Sequence, residues 1–449
     1  MVSLSLKADK AWEKYKEEFC RLVRIPSVYD GISAGSGAPY GRNVRQALDY
    51  MKSLCEREGF DVREYDGQAI SASWGSGERI DIVSHLDVVQ VDGDWDEDPF
   101  SGSVHDGRVY GRGTQDMKSG AYLTFLALKL VKDSGLVPNR EFRLVYGTDE
   151  ERTMNDMRHY VSKAGLPAFA FTPDGGFPMV NGEKGALMWT MDGIWDGAVL
   201  NLKGGIQPNV ISPFAEALVK CSADELKKAS AETGIPASIR QEQNGTFVRV
   251  EGRAAHASRP EDGDNATVKL LKLLHAATGE ERVGKLYSFF SDPHGAGAGM
   301  DYDLEPMGKL SLNLGILTIE DGKLHAMIDS RYPYGVTSAE LHGKIVSAFP
   351  EYDVELPYDD PPTYVPDDAP YIAALKEAYR SVSGKECGTM ISGGVSYSKV
   401  FGHCVTFGTV GENSVRMAHQ KNESISEEDC ILSLDVFCRT IENLNEVKK

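Results

Sequence analysis

No two cysteines stand in a Cys-x-x-Cys spacing, and the seven present (Cys20, Cys55, Cys221, Cys387, Cys404, Cys430 and Cys438) are odd in number. That pattern argues against a disulfide framework and a thiolate zinc cage, and the expectation is a reducing compartment, the cytoplasm. A long hydrophobic run is missing too. The longest apolar stretch, from Ala121 to Val131, carries Lys129 and is shorter than the roughly 20 residues that span a bilayer. The opening residues, MVSLSLKADKAW, hold no apolar signal core. The sequons at Asn244, Asn265 and Asn422 are accordingly read as chance matches. Positive charge is scarce: 48 Lys plus Arg against 67 Asp plus Glu leave a formal net charge of −19. Such a chain repels phosphate backbones, so general nucleic-acid binding is not expected. There is no low-complexity linker and no short-period repeat.

What is present suits folded domains. Hydrophobic residues make up 41% and charged residues 26% of 449, enough to fill cores, and one domain per ~150 residues points to two or three domains. The 46 glycines suggest tight turns or backbone close to a ligand. Apolar spacing predicts helices over 42–58 and 118–132, the latter deeply buried, and strands over 79–84, 140–146 and 168–172. Strands alternating with helices predict a mainly parallel α/β sheet. After about Gly185 the texture changes to α+β, with strands expected over 187–202, 245–251, 309–317 and 323–330 and helices over 213–231 and 265–279. Near Gly384 the first texture returns, ending in an amphipathic helix over 426–447. The expected organisation is one catalytic α/β domain, 1–185 plus 384–449, interrupted by a lid domain, 186–383.

Three of the predicted strands run into metal-capable residues: His85-Leu86-Asp87, Asp149-Glu150-Glu151 and Pro173-Asp174. In open α/β sheets ligands gather at the carboxyl ends of strands. A fourth carboxylate, Asp116, sits in GRGTQDMKSG, a glycine-rich turn before the buried helix. Any one of these alone reads as turn chemistry; together they point to a divalent metal site. His85 and Asp87, two apart, share a face if the strand continues. A ligating imidazole needs a partner on its other nitrogen, a role Asp87 suits. Adjacent Glu150 and Glu151 repel if both are merely buried. Near cations they divide labour, one binding metal and the other moving protons.

With GRGTQDMK, the Glu150-Glu151 pair, Pro173-Asp174 and AHQKNE around His419 in order along the chain, the sequence resembles the aminoacylase/dipeptidase family of dinuclear metallopeptidases. NGEKG at 181–185 and the long insertion resemble its peptidase V branch most. The resemblance implies a zinc-peptidase-like catalytic domain and two divalent ions per chain. It implies that Asp116 bridges them, that His85 and Asp174 complete one site and Glu151 and His419 the other, and that Asp87 orients His85. Glu150 is implied as the general acid/base in hydrolysis of dipeptides by a metal-bridging hydroxide. Charge agrees: two divalent ions are neutralised by Asp116, Glu151, Asp174 and one hydroxide. Ions ~3.5–4 Å apart acidify a shared water and stabilise charge developing on oxygen. Zinc suits the donor set first; manganese or cobalt also suits three carboxylates with two histidines.

In the insertion, EGRAAHASRPEDGDNA resembles the family's lid-histidine motif, which implies that His256 stabilises the tetrahedral oxyanion. Asn209 in GGIQPNVI and Arg331 in IDSRYPYG fall where peptidase V relatives hold the substrate carboxylate, with a surface salt bridge the other reading of Arg331. Substrate contact from the lid implies closure of two lobes. Residues 393–399 take the place of a GGGTYAR-like loop, which adds Gly394 and Ser396 as expected substrate contacts. Val395, Ser396 and Lys399 depart from that pattern in ways that bear on substrate preference and leave the metal residues intact. The Gly-x-Ser-x-Gly match at 31–35 lacks the strand and helix of a nucleophile elbow. GAGAG at 295–299 lacks a βαβ unit, and DGDWDED at 92–98 lacks calcium-loop spacing. His105, His159, His275, His294, His325, His342 and His403 are read as structural. Two further readings stay open: a deacylase acting on N-acyl amino acids or diamino acids, and a catalytically silent binding protein on the same fold. The expected partners are small peptides, with no nucleic acid or membrane, and the expected state is a monomer.

Overall fold

The computed structural model describes residues 5–447, and the chain divides into two units. The first comprises Met1–Gly182, Tyr364–Met390 and Val395–Lys449; the second comprises Glu183–Thr363 and Ile391–Gly394. The return to the first unit thus comes at Tyr364, earlier than the expected Gly384. The reason is packing: Ile372, Leu375 and Tyr379 of the helix Pro370–Ser383 are buried in the first unit's core beside the last helix.

In the first unit the sheet runs in the order Asp61–Tyr65, Ala69–Gly75, Glu141–Gly147, Arg79–His85, Phe169–Thr172 and Cys404–Thr406, continuing through Met179–Glu183. Asp61–Tyr65 and Ala69–Gly75 form an antiparallel pair on one side. The four strands from Glu141–Gly147 to Cys404–Thr406 are mutually parallel. Arg79–His85 and Glu141–Gly147 are buried from their second residue onward, as expected of parallel strands covered on both faces. One cover is the helix Lys118–Asp133, whose residues from Lys118 to Lys129 are all buried. It packs on Ser5–Val23 and on Glu427–Glu446. The Ser426 hydroxyl caps that last helix, accepting from the Asp429 N–H at 3.0 Å, and three acidic residues follow in its first turn.

The second unit is an eight-stranded antiparallel sheet. Its order is Ser238–Glu242, Gly245–Glu251, Phe214–Val219, Val199–Gly204, Ser311–Glu320, Lys323–Tyr332, Gly185–Ile194 and Asp353–Asp360. The helices Ala266–Thr278 and Glu281–Phe290 pack against it. Two local expectations fail here. The segment 187–202 is two strands, and the first half of the expected helix 213–231 is the strand Phe214–Val219. That strand alternates half-buried and buried residues, a period of two. The helix Ala223–Thr233 starts only at Ser222, whose side chain and Glu225 form a reciprocal capping box. No helix among the described residues is long and apolar enough to cross a membrane.

Candidate metal centre

Parallel strands open their carboxyl ends on one edge of the sheet, which is where the first unit collects its polar residues. His85 ends its strand and pairs in register with Gly147, the end of the next. The turn 148–151 follows Gly147, and Asp174 follows Phe169–Thr172. The loop before Lys118–Asp133 supplies Asp116. His419 comes from the segment before the last helix, in the left-handed region at φ 63°, a conformation seldom adopted without glycine.

These residues converge on Asp116. Its Oδ1 lies 3.0 Å from His85 Nε2, and its Oδ2 lies 3.0 Å from His419 Nε2. Asp174 Oδ1 is 3.7 Å from His85 Nε2, and Glu151 Oε2 is 3.2 Å from His419 Nε2. Two triads result, His85–Asp116–Asp174 and Asp116–Glu151–His419, each with its donor atoms within 4.8 Å of one another. A shared carboxylate flanked by two such sets fits a pair of divalent cations. Glu151 Oε1 is buried without a hydrogen-bond partner among the described residues, as a ligand atom would be.

Electrostatics favour the same occupant. Burial lowers the His85 imidazole, but the carboxylates of Asp116, Asp174 and Asp87 outweigh it and hold the group well above its ordinary range. Hydrogen bonds to Asp116 and Glu151 push His419 up to about 11. Burial raises Asp116, yet the two imidazoles win and hold it below the usual carboxylate range. Glu151 is pushed up to about 7 by burial and then by the Asp116 charge, and Asp174 is raised for the same two reasons. Burial lifts Glu150 well above its ordinary range; His85 opposes, and Asp174, Glu151 and Asp116 add to the rise. Carboxylates this crowded call for added positive charge.

Asp87 meets the His85 ring through its main chain. His85 Nδ1 lies 2.9 Å from the Asp87 backbone carbonyl, while the Asp87 carboxylate stands off at 3.6 Å. That carboxylate instead accepts from the N–H groups of Glu150 at 3.3 Å and Glu151 at 3.1 Å. Sequence reading missed two further carboxylates that hold backbone in the same way. Glu423 accepts from the N–H groups of Gly113, Gln115 and Asp116, and Asp156 accepts from those of Thr148 and Asp149. The only sequence signal for Glu423 was its place in AHQKNE. Gly113 has φ 86°, which a residue with a side chain adopts only under strain.

The ligand-type residues, Glu150, Asp87 and Ser396 belong to the first unit; His256, Asn209, Arg331 and Gly394 belong to the second. Ser396 Oγ accepts from the Ser398 N–H at 3.2 Å. Within the second unit, Asn209 and His256 lie on adjoining stretches: the Ala257 N–H donates to the Asn209 carbonyl at 2.9 Å, and Val210 bridges to His256. His256 Nδ1 is 2.7 Å from Ser258 Oγ, and burial followed by the Arg331 charge lowers its pKa. Arg331 is buried, not a surface residue. Its Nε and Nη2 donate to the two oxygens of Asp329 at 3.2 and 2.9 Å, and its Nη1 donates to the Gly393 carbonyl at 3.2 Å.

The chain resembles known proteins over nearly its whole length. It is 30% identical to Putative dipeptidase YtjP of Bacillus subtilis (strain 168), over 96% of this chain and 99% of that protein. Putative dipeptidase SAUSA300_1697 of Staphylococcus aureus (strain USA300) is 27% identical over 94% and 95%. Among solved structures, human carnosine dipeptidase 1 superposes with a TM-score of 0.61 at 15% identity, covering 99% of each chain. Aminoacylhistidine dipeptidase from Vibrio alginolyticus gives 0.57 at 14% identity, over 95% of each; both show likeness of fold. The sequence model of peptidase family M20/M25/M40 matches residues 82–443, and the chain belongs to that family.

Proposed function

We propose that this hydrolase is a metal-dependent dipeptidase, cleaving the single peptide bond of short peptides. The observation that carries the reading is the Asp116 carboxylate, set 3.0 Å from an imidazole on each of its oxygens. His85, Asp116 and Asp174 would hold one divalent ion, and Asp116, Glu151 and His419 the other. Zinc fits two imidazoles with three carboxylates, and manganese and cobalt fit the same donors. Bound there, a divalent pair supplies Lewis acidity toward the scissile carbonyl and lowers the pKa of water.

The chain's own residues do the rest. Glu150, buried and with its proton affinity raised, takes a proton from the attacking water and later gives it to the leaving amine. Asp87 fixes the main chain of Glu150 and Glu151, and its carbonyl fixes the His85 ring. In the second unit His256 is the proposed donor to the oxyanion, with Asn209, Arg331 and Gly394 proposed, together with Ser396, as substrate contacts. Names of relatives support the dipeptide as substrate. Seven free cysteines, six of them buried, support a reducing cytoplasmic setting, and a monomer is the proposed state.

The test joins elemental analysis of purified protein with chelation, metal add-back and a substrate panel. Two divalent ions per chain, and metal-restored cleavage of free dipeptides, are expected. Cleavage of N-acyl amino acids alone would replace the reading with a deacylase. A metal-replete chain inactive on both would leave a binding protein. A sedimentation mass twice that of the chain would overturn the monomer.

A further inference from the structure

Asp156 is not among the proposed ligands, yet it is fully buried in the first turn of the helix Asn155–Ala164. Its Oδ2 accepts three hydrogen bonds, from the Thr148 N–H at 2.5 Å, the Asp149 N–H at 2.9 Å and the Tyr397 hydroxyl. Its Oδ1 accepts from the Met157 N–H at 2.7 Å. Asp87 takes the next two amides, those of Glu150 and Glu151. Four consecutive N–H groups of the 148–151 turn are therefore gripped by two carboxylates. Position 147 is glycine for a visible reason: a Cβ there would run into the Tyr397 hydroxyl and Asp156 Oδ2. Tyr397, 1% exposed, also sets its ring edge-on to His85, with centroids 6.2 Å apart. One side chain thus touches His85 directly and, through Asp156, the turn that carries Glu150 and Glu151.

We propose that Asp156, locked by Tyr397, is a positioning residue that fixes the 148–151 main chain and with it the aim of Glu150 and Glu151. The proposal rests on the dipeptidase reading for its kinetic readout only. A carboxylate is the right group because its two oxygens can accept from several donors at once, as they do here from three N–H groups and one hydroxyl. An amide would turn an NH2 toward the Met157 N–H or toward the turn. Outer partners of this kind typically control about 10- to 100-fold in metal affinity or rate, since small displacements at a reacting centre are costly.

The experiment compares Asp156→Asn, Tyr397→Phe and the control Asp81→Asn, a buried carboxylate bonded to Tyr160 and distant in role from the turn. Zinc and manganese affinities are measured by chelator competition, and kcat and KM on the best dipeptide. Asp156→Asn should bind metal about 10- to 100-fold more weakly and lose kcat by a similar factor with KM little changed. Tyr397→Phe should lie between it and the parent, and Asp81→Asn should match the parent on both counts. A folded Asp156→Asn with parental affinity and kcat overturns the proposal, as does an equal loss in Asp81→Asn. Should Asp156→Asn fail to fold, parental behaviour of Tyr397→Phe overturns it. If the parent cleaves no dipeptide, the dipeptidase reading falls, and the metal affinities alone still decide the role of Asp156.

Discussion

The carboxylate of Glu423 holds the main chain of Asp116, accepting from its N–H at 3.2 Å. The same carboxylate accepts from the N–H groups of Gln115 at 2.7 Å and Gly113 at 3.1 Å, and from Arg112 Nη1 at 2.7 Å. Glu423 is 0% exposed and Arg112 2%, so the ion pair is wholly desolvated. Removing one member of such a pair leaves the other charge buried and costs about 3–5 kcal/mol. Glu423→Gln keeps the shape and removes the charge. Its unfolding free energy in urea should fall by about 3 kcal/mol, with weaker metal binding because the Asp116 loop loses its anchor. A fall under about 1 kcal/mol, within the scatter of surface changes, would show that the amides alone hold Glu423.

Most of the first unit's architecture was readable because its signals are local. Apolar strands that run into His85, the turn 148–151 and Asp174 declare both the parallel sheet and the edge that collects ligands. Four things were not readable. Phe214–Val219 carries apolar residues at helix-compatible spacing, and only the sheet partners on either side decide for a strand. The placement of Pro370–Ser383 is a matter of which core it fills. Asp156 and Glu423 act by accepting from backbone amides, a role that leaves no pattern of side-chain types. Arg331 was legible as a guanidinium facing a carboxylate, but not that Asp329 provides one from two residues away.

Stability should depend on pH through Asp81. Burial is the main cause that pushes its carboxyl up to about 6 from an ordinary 3.8, with Arg79, Tyr160 and Arg143 opposing. A raised folded pKa means the folded chain binds the extra proton more tightly. The contribution is therefore fully present below about pH 4 and is lost as pH rises through about 6. At 1.36 kcal/mol per unit the span is on the order of 3 kcal/mol. Urea titrations of the parent and Asp81→Asn should show the parent's relative stability falling by about that amount between pH 4 and pH 7.5. A difference that stays flat across this window refutes the assignment.

Arg331 already spends Nε and Nη2 on Asp329 and donates Nη1 to Gly393. A substrate carboxylate at the proposed contact must therefore share a guanidinium that is held in place. Lysine keeps the charge but cannot hold Asp329 with a fork and still reach a second carboxylate. Arg331→Lys should raise KM at least about tenfold while metal content and kcat change little, the signature of lost uniform binding. An unchanged KM would mean that Arg331 serves Asp329 alone.

Glu150 and Glu151 are adjacent, both held by Asp87, yet they are proposed for different work, and substitution should separate them. Glu151 Oε2 faces His419 at 3.2 Å, in the ligand cluster. Glu150 lies beside the cluster, its proton affinity raised by burial and by the neighbouring carboxylates. Glu150→Ala should fold and keep its two metal ions while kcat drops about 10²- to 10⁴-fold, the share typical of a general acid/base. Glu151→Ala should instead lose metal, with stoichiometry by elemental analysis falling toward one ion per chain. Near-parental turnover in Glu150→Ala would end the proposed proton path. Loss of metal in both variants would mean the pair acts as one ligand group, and the proton carrier would have to be sought among other residues at the strand ends.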